Sequence, residues 1–232
     1  MEIKPFVSLL EERIHRYDLL CHPFYKAWSA GELTRDDLRA YAEDYYSHVE
    51  AFPGYLAHFA VRLEEGELRR AVLANMADEK GGDGSFIEPE RSHSELWLNF
   101  VEGVGGGRIP KRRPAAGVRK LISWFQRVAG EGTPEEALAA FYAYESQVPR
   151  LAKEKDRVLG QLYGADEKTR AYFTLHATAD VYHAQVWRTQ LEKRVKANPE
   201  TAEKALAAAE KAAQALWTVL DGFEARRVQQ AA

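Results

Sequence analysis

The sequence predicts an all-α protein, a bundle of seven or eight helices with a site in its core. Three observations carry that expectation. Apolar residues recur at three- and four-residue intervals along most of the chain. Helix starts carry threonine caps with acids behind them. No stretch shows the period-two alternation and hairpin turns of strands.

In chain order, Phe6, Leu9, Leu10, Ile14 and Tyr17 predict a first amphipathic helix over 5–19, broken at Cys21-His22-Pro23 because proline disfavours helical backbone before it. A short helix to about Trp28 stops at Gly31, and Thr34 caps a long helix from Arg35 to about Phe52. Pro53-Gly54 is expected to kink or interrupt it. Residues 66–80 read as a helix, GGDGSFIEPERS as a loop, HSELWLNFVEGVG as a helix and 108–114 as a basic loop. A helix from Ala115 to Val128 follows. Thr133-Pro134-Glu135-Glu136 then starts another, disturbed at Pro149 and continuing through RLAKEKDRVLGQLYG. A helix from about Asp166 to Ala197 and an amphipathic one after Pro199 complete the chain.

The 232 residues read as one domain, 1–232, long enough to bury about 70% of the surface that the unfolded chain exposes. A net charge of −3 offers no attraction to nucleic acid or an anionic membrane. No apolar run spans a bilayer, and the charged residues of 1–20 are unlike a signal peptide, so a cytoplasmic location is expected. The single Cys21 excludes an internal disulfide framework and reads as a small buried hydrophobe.

The chemistry-bearing stretch is His176-Ala-Thr-Ala-Asp180-Val-Tyr-His183. At 100° per residue, offsets of four and seven fall at about +40° and −20°, so one helical face carries all three polar groups. Burying two imidazoles and a carboxylate there requires compensation, and a first-row metal supplies it. Tyr172, Phe173, Leu175, Val181, Val186 and Trp187 surround the three with apolar bulk, which favours an inward face. Glu145 sits among Phe141, Tyr142, Tyr144 and Val148, where a carboxylate is either protonated or metal-bound. On local pattern alone Glu79 reads as a solvated helix-end acid, His93 as a helix-start residue, Tyr25 as a core aromatic and Lys155, within KEKDR, as a solvated lysine. His22, His48 and His58 read as structural histidines.

The segments FYKAWSAGELTRDDLRAYAEDYYSHVEAFPGYL, ANMADEK, HSELW, YAYESQVPRLAKEK and YFTLHATADVYHA resemble, in this order, the heme-oxygenase-like diiron oxidases and oxygenases. Within them the chain looks most like the para-aminobenzoate synthases. The resemblance implies the heme-oxygenase-like helical fold, shared with quinone-cofactor and thiaminase-like enzymes. It also implies six ligands for two metal ions, Fe/Fe or Fe/Mn: Glu79, His93, Glu145, His176, Asp180 and His183. No heme is implied. O2 and an external reductant would be co-substrates.

In the resembled enzymes a tyrosine of the protein itself becomes para-aminobenzoate, a folate precursor, and a lysine supplies the nitrogen. Tyr25 matches that tyrosine, Lys155 the amine donor and Tyr41 an assisting tyrosine. Such a chain turns over once, and oxidising the tyrosine would need it close to the metal pair. Two departures are visible. Lys80 stands where the resembled proteins have a second acid, and the Gly-rich segment between Glu79 and His93 is longer, so Asp83 and Glu88 stand as alternatives to His93.

Two other readings compete. One is a related oxidase with a separate small-molecule substrate; the other is a metal-free interaction module. Thiaminase-like chemistry would need a catalytic cysteine, and the only thiol is Cys21 in an early break. The last helix has an apolar side that would suit a homodimer.

Overall fold

Every regular element is helical in the computed structural model, which describes residues 3–81, 91–107 and 113–231. Among these residues the α-helices are α1 (Ile3–His15), α2 (Pro23–Ser29), α3 (Arg35–Ala60), α4 (Glu67–Lys80) and α5 (His93–Gly103). They continue with α6 (Ala116–Glu131), α7 (Pro134–Glu145), α8 (Val148–Leu162), α9 (Glu167–Ala197) and α10 (Ala202–Ala231). Ten helices exceed the seven or eight expected, partly because the short α2 stands alone and a break at Ser146-Gln147 separates α7 from α8. Asp83 and Glu88, the alternatives to His93, lie outside the described residues, as does 108–112 of the basic loop.

Capping chemistry sets the helix starts. Thr34 with Asp37, Ser92 with Glu95 and Thr133 with Glu136 each form a reciprocal capping box, satisfying amide hydrogens that a first turn leaves free. Pro134 and Pro149 occupy first-turn positions, where a missing N–H costs nothing.

Pro53 does not interrupt α3. The helix runs unbroken through it, since Val49, Phe52, Tyr55, Leu56 and Phe59 are buried on both sides and hold the backbone against the lost hydrogen bond. Cys21 also departs from expectation: it is exposed, at the end of a 3-10 turn over Leu19–Cys21.

Helix α7 is the centre of the bundle. Its residues 137–145 are all buried, with α10 packed on one side and α9 on another. Helix α9, about 46 Å long at 1.5 Å per residue, also packs against α5 and α8, while α3 contacts α4, α5 and α6. The close approach of α5 to α9 depends on Gly103, where an added Cβ would stand 2.1 Å from Thr169 Oγ1. Among the described residues no helix is long and apolar enough to cross a membrane.

Candidate metal centre and tyrosine–lysine cluster

Four helices deliver polar side chains to one buried place. The i, i+4, i+7 spacing in α9 brings His176, Asp180 and His183 to a common face, all between 2% and 3% exposed. Helix α4 contributes Glu79 at its last turn, α5 contributes His93 as its first residue, and α7 ends on Glu145. Each of these is also buried. Two groups of ligand atoms converge, Glu79 with His93 and His176, and Glu79 with Glu145 and His183, each within 4.8 Å. Glu79 belongs to both. Asp180 joins through His183, with Oδ1 3.4 Å from Nδ1.

The donor set fits cations. His93 Nδ1 lies 2.8 Å from Glu79 Oε2, yet the two make no hydrogen bond of acceptable geometry, as two ligands of one ion would not. His176 Nδ1 is 2.7 Å from the Tyr172 carbonyl, which fixes that nitrogen as the donor and leaves Nε2 free to ligate. The imidazoles of His93 and His176 face each other with centroids 4.4 Å apart. Nitrogen and oxygen ligands in this mixture suit iron, manganese or zinc.

The surroundings bias each group. Burial lowers the His176 pKa to about 4, so its ring is neutral at pH 7. Burial also opposes charge on His183, but hydrogen bonds with Asp180 and Asp78 and the charge of Glu145 outweigh it and push the pKa up to about 11. Burial raises the Glu145 carboxyl well above the usual range, against the pull of His183.

Three contributors escaped the sequence reading. Asp78, 3% exposed, places Oδ2 3.1 Å from His183 Nε2. Asn75 donates to Glu145 Oε1 at 3.4 Å, and Trp187, taken as apolar bulk, donates from Nε1 to the other carboxylate oxygen. Asn75, Asp78 and Glu79 share the i, i+3, i+4 spacing of a single helical face, which is the signal that could have revealed them. Asp78, Glu79, Glu145 and Asp180 would match the charge of two divalent ions. Of the apolar residues placed around the α9 set, Tyr172, Phe173 and Trp187 are buried as expected, whereas Val181 is 56% exposed.

A second cluster lies among α2, α3 and α8. Lys155 is 7% exposed rather than solvated, and its Nζ donates to Tyr25 Oη at 2.9 Å and to Tyr41 Oη at 2.7 Å. The two phenol oxygens are 2.9 Å apart, which closes a triangle. The rings of Tyr25, Trp28, Tyr41 and Phe173 surround the amine, with Nζ 4.4 Å from the Tyr25 centroid. Burial lowers the Lys155 pKa well below its ordinary value and raises those of Tyr25 and Tyr41, which favours three neutral groups.

Tyr25 contacts Phe24, Trp28, Tyr41 and Lys155. Aromatic rings link the two sites. Tyr41 lies 5.9 Å from Trp97, Trp97 4.7 Å from Tyr172, and Tyr172 stacks on His176 at 3.8 Å between centroids. Elsewhere His22 is a structural residue, taking the Phe24 N–H at Nδ1 and facing Asp221 at Nε2. His48 is buried among aromatics with its pKa lowered by burial to about 3.

The chain is similar to known proteins over most of its length. Residues 39–217 match the family described as iron-containing redox enzymes. The chain is 36% identical over 221 residues to the 4-aminobenzoate synthase of Chlamydia trachomatis, covering 94% of this chain and 91% of that protein. It is 34% identical over 235 residues to the 4-aminobenzoate synthase of Nitrosomonas europaea, covering 96% and 92%. A solved structure with a heme oxygenase-like fold from Shewanella denitrificans superposes with a TM-score of 0.79 at 16% identity, covering 100% of this chain and 97% of that one. By fold and by sequence, then, the chain belongs to the iron-containing redox enzymes of heme-oxygenase-like architecture.

Proposed function

We propose that this chain makes para-aminobenzoate from its own Tyr25, with Lys155 as nitrogen donor and O2 and an external reductant as co-substrates, once per chain. The observation that carries this reading is the 2.9 Å between Lys155 Nζ and Tyr25 Oη. In para-aminobenzoate the nitrogen sits on the ring carbon opposite the carboxyl-bearing carbon. Tyrosine carries its hydroxyl on that same carbon, opposite Cβ. The amine is therefore held beside the ring carbon where a carbon–nitrogen bond would replace the phenolic carbon–oxygen bond, the oxygen leaving as water. The Cε–Nζ bond of Lys155 and the Cα–Cβ bond of Tyr25 must also break, with O2 as the oxidant that takes Cβ to the carboxyl level.

Both reactants belong to one chain, so no encounter is needed; in well-oriented cases this is worth about 7–11 kcal/mol of barrier. Burial favours the free amine of Lys155, the form with a lone pair to share. Tyr41 accepts from Lys155 and is hydrogen-bonded to Tyr25, so it orients both and can take or return a phenolic proton. Glu79, His93, Glu145, His176, Asp180 and His183 would hold two iron ions, or one iron and one manganese, and these would supply the O2 reduction. The ring contacts through Tyr41, Trp97 and Tyr172 support removal of electrons from Tyr25 along the aromatic chain.

The similarity to proteins named 4-aminobenzoate synthase supports this choice of product. A separate small-molecule substrate fits less well, because Tyr25, Tyr41 and Lys155 are packed at 0–7% exposure among aromatic rings. The test is aerobic incubation of iron- and manganese-loaded protein with a reductant, followed by intact mass and analysis of the filtrate. Loss of mass at Tyr25 with para-aminobenzoate released is the expected result, absent in Tyr25→Phe. Wild-type product yield from Tyr25→Phe would move the reading to a separate substrate. Protein without metal after iron-replete expression would instead support an interaction module.

A further inference from the structure

The six ligand candidates are 1–6% exposed, so a cation arriving from solvent has no direct path to them. We infer that the cleft between the α7–α8 break and the middle of α9 is the route by which divalent cations reach the centre, with Asp180 as the first ligand met. This rests on the metal-centre reading above.

Two independent features point to this cleft. The first is its position. It encloses about 550 Å³ and is lined by Tyr142, Ser146, Asp180, Ala184, Arg188 and Glu192 among others. Asp180 is also the ligand candidate that stands outside both tight groups, connected to them by its 3.4 Å contact with His183. It therefore bridges the cleft and the buried centre. The small side chains of Ser146 and Ala184 stand among the lining residues where the helix break meets α9.

The second feature is charge. A neighbouring cleft of about 540 Å³ shares Tyr142 and Ser146 and adds Glu11, Glu12 and Asp18. Across the two, five acids (Glu11, Glu12, Asp18, Asp180, Glu192) face two arginines (Arg150, Arg188), a net of −3. Arg188 is paired with Glu11 at 3.0 Å and Glu192 at 2.8 Å, and Arg150 with Asp18 at 3.0 Å, so both arginines are engaged and the excess acid remains. A recess with acidic walls and low-dielectric sides concentrates cations and speeds their arrival.

The experiment uses full-length protein freed of metal with a chelator and mixed with Co(II) in a stopped-flow instrument. Uptake is followed by the cobalt absorption bands and by tryptophan fluorescence, since Trp187 donates to the candidate ligand Glu145. Glu192→Lys reverses charge on the wall, and Gln185→Trp, at an exposed lining position, narrows the mouth. Gln161→Trp, in a different cleft along α8, is the control for added bulk.

Both cleft variants should slow uptake by about fivefold or more, with unchanged final cobalt content and melting temperature. Added salt should slow the wild type more than Glu192→Lys. Uptake within about twofold of wild type in both cleft variants, or equal slowing by Gln161→Trp, would overturn the inference. Failure of the wild type to bind Co(II) at all is a different result, one that removes the metal centre and this route with it.

Discussion

Replacing Lys155 by methionine tests whether the amine at the tyrosine pair is uncharged. Methionine keeps an unbranched side chain of similar reach but removes Nζ and its hydrogen bonds to Tyr25 and Tyr41. Each bond contributes about 0.5–1.5 kcal/mol, so their loss destabilises the fold by about 1–3 kcal/mol at every pH. A second effect depends on pH. Burial lowers the folded-state pKa of Lys155 well below its ordinary value. Between that lowered value and about 10.4, the unfolded chain binds one more proton than the folded chain.

Stability therefore rises with pH through that window, by about 1.4 kcal/mol per pH unit from this one group. The methionine variant lacks the slope, while other titrating groups cancel in the comparison. Urea unfolding of both metal-free proteins, followed by far-ultraviolet circular dichroism from about pH 7.5 to 9.5, reads the difference directly. The wild-type profile should gain on that of Lys155→Met as pH increases. Parallel profiles would mean that Lys155 keeps its proton in the fold, which would refute its role as a free amine.

Glu79→Gln should deplete both ions, because Glu79 belongs to both ligand groups, whereas His93→Ala should retain about one ion per chain by elemental analysis. Trp187→Phe removes the donor to Glu145 and should weaken metal binding by about 10–100-fold in a chelator competition, with the helical spectrum unchanged. Gly103→Ala forces a Cβ against Thr169 and should destabilise by about 1–3 kcal/mol, read as a lower melting temperature. Trp97→Leu, which interrupts the ring contacts between Tyr41 and Tyr172, should slow loss of Tyr25 while leaving metal content intact; an unchanged rate would exclude that route for electrons.

What the sequence reveals depends on how a residue's neighbours disclose its helical phase. The α9 set is legible because three polar groups at offsets of four and seven share a face with Tyr172, Phe173 and Trp187. Glu145 is legible because Phe141, Tyr142 and Tyr144 precede it and Val148 follows within one turn. Lys155 looks solvated within KEKDR, yet Leu151, Ala152, Val158 and Leu159 share its side of α8, so phase outweighs the local charge run. Asn75 and Asp78 are hidden in the same way, as polar residues on the inward face of a weakly apolar helix. Val181 shows the reverse error: an apolar type at a position that helical geometry turns outward. Cys21 gave no phase at all, since it stands at a break between helices.

The break between α7 and α8 explains how one chain can serve both clusters. Glu145 ends α7 facing the other candidate ligands Glu79 and His183, and Lys155 lies ten residues later facing the tyrosines. In an unbroken helix ten residues amount to a fixed rotation and about 15 Å of rise, with no freedom to aim the two side chains separately. Gln147 holds the break in place. Its Nε2 donates to the Ala143 carbonyl at 3.3 Å, while its Oε1 accepts the Leu19 N–H at 3.0 Å. That second bond ties the α7–α8 junction to the turn leading into α2, which carries Tyr25. One buried amide thus sets α8, which carries Lys155, and α2, which carries Tyr25, against the same fixed point. The 2.9 Å separation of amine and phenol rests on that attachment as well as on packing around Lys155.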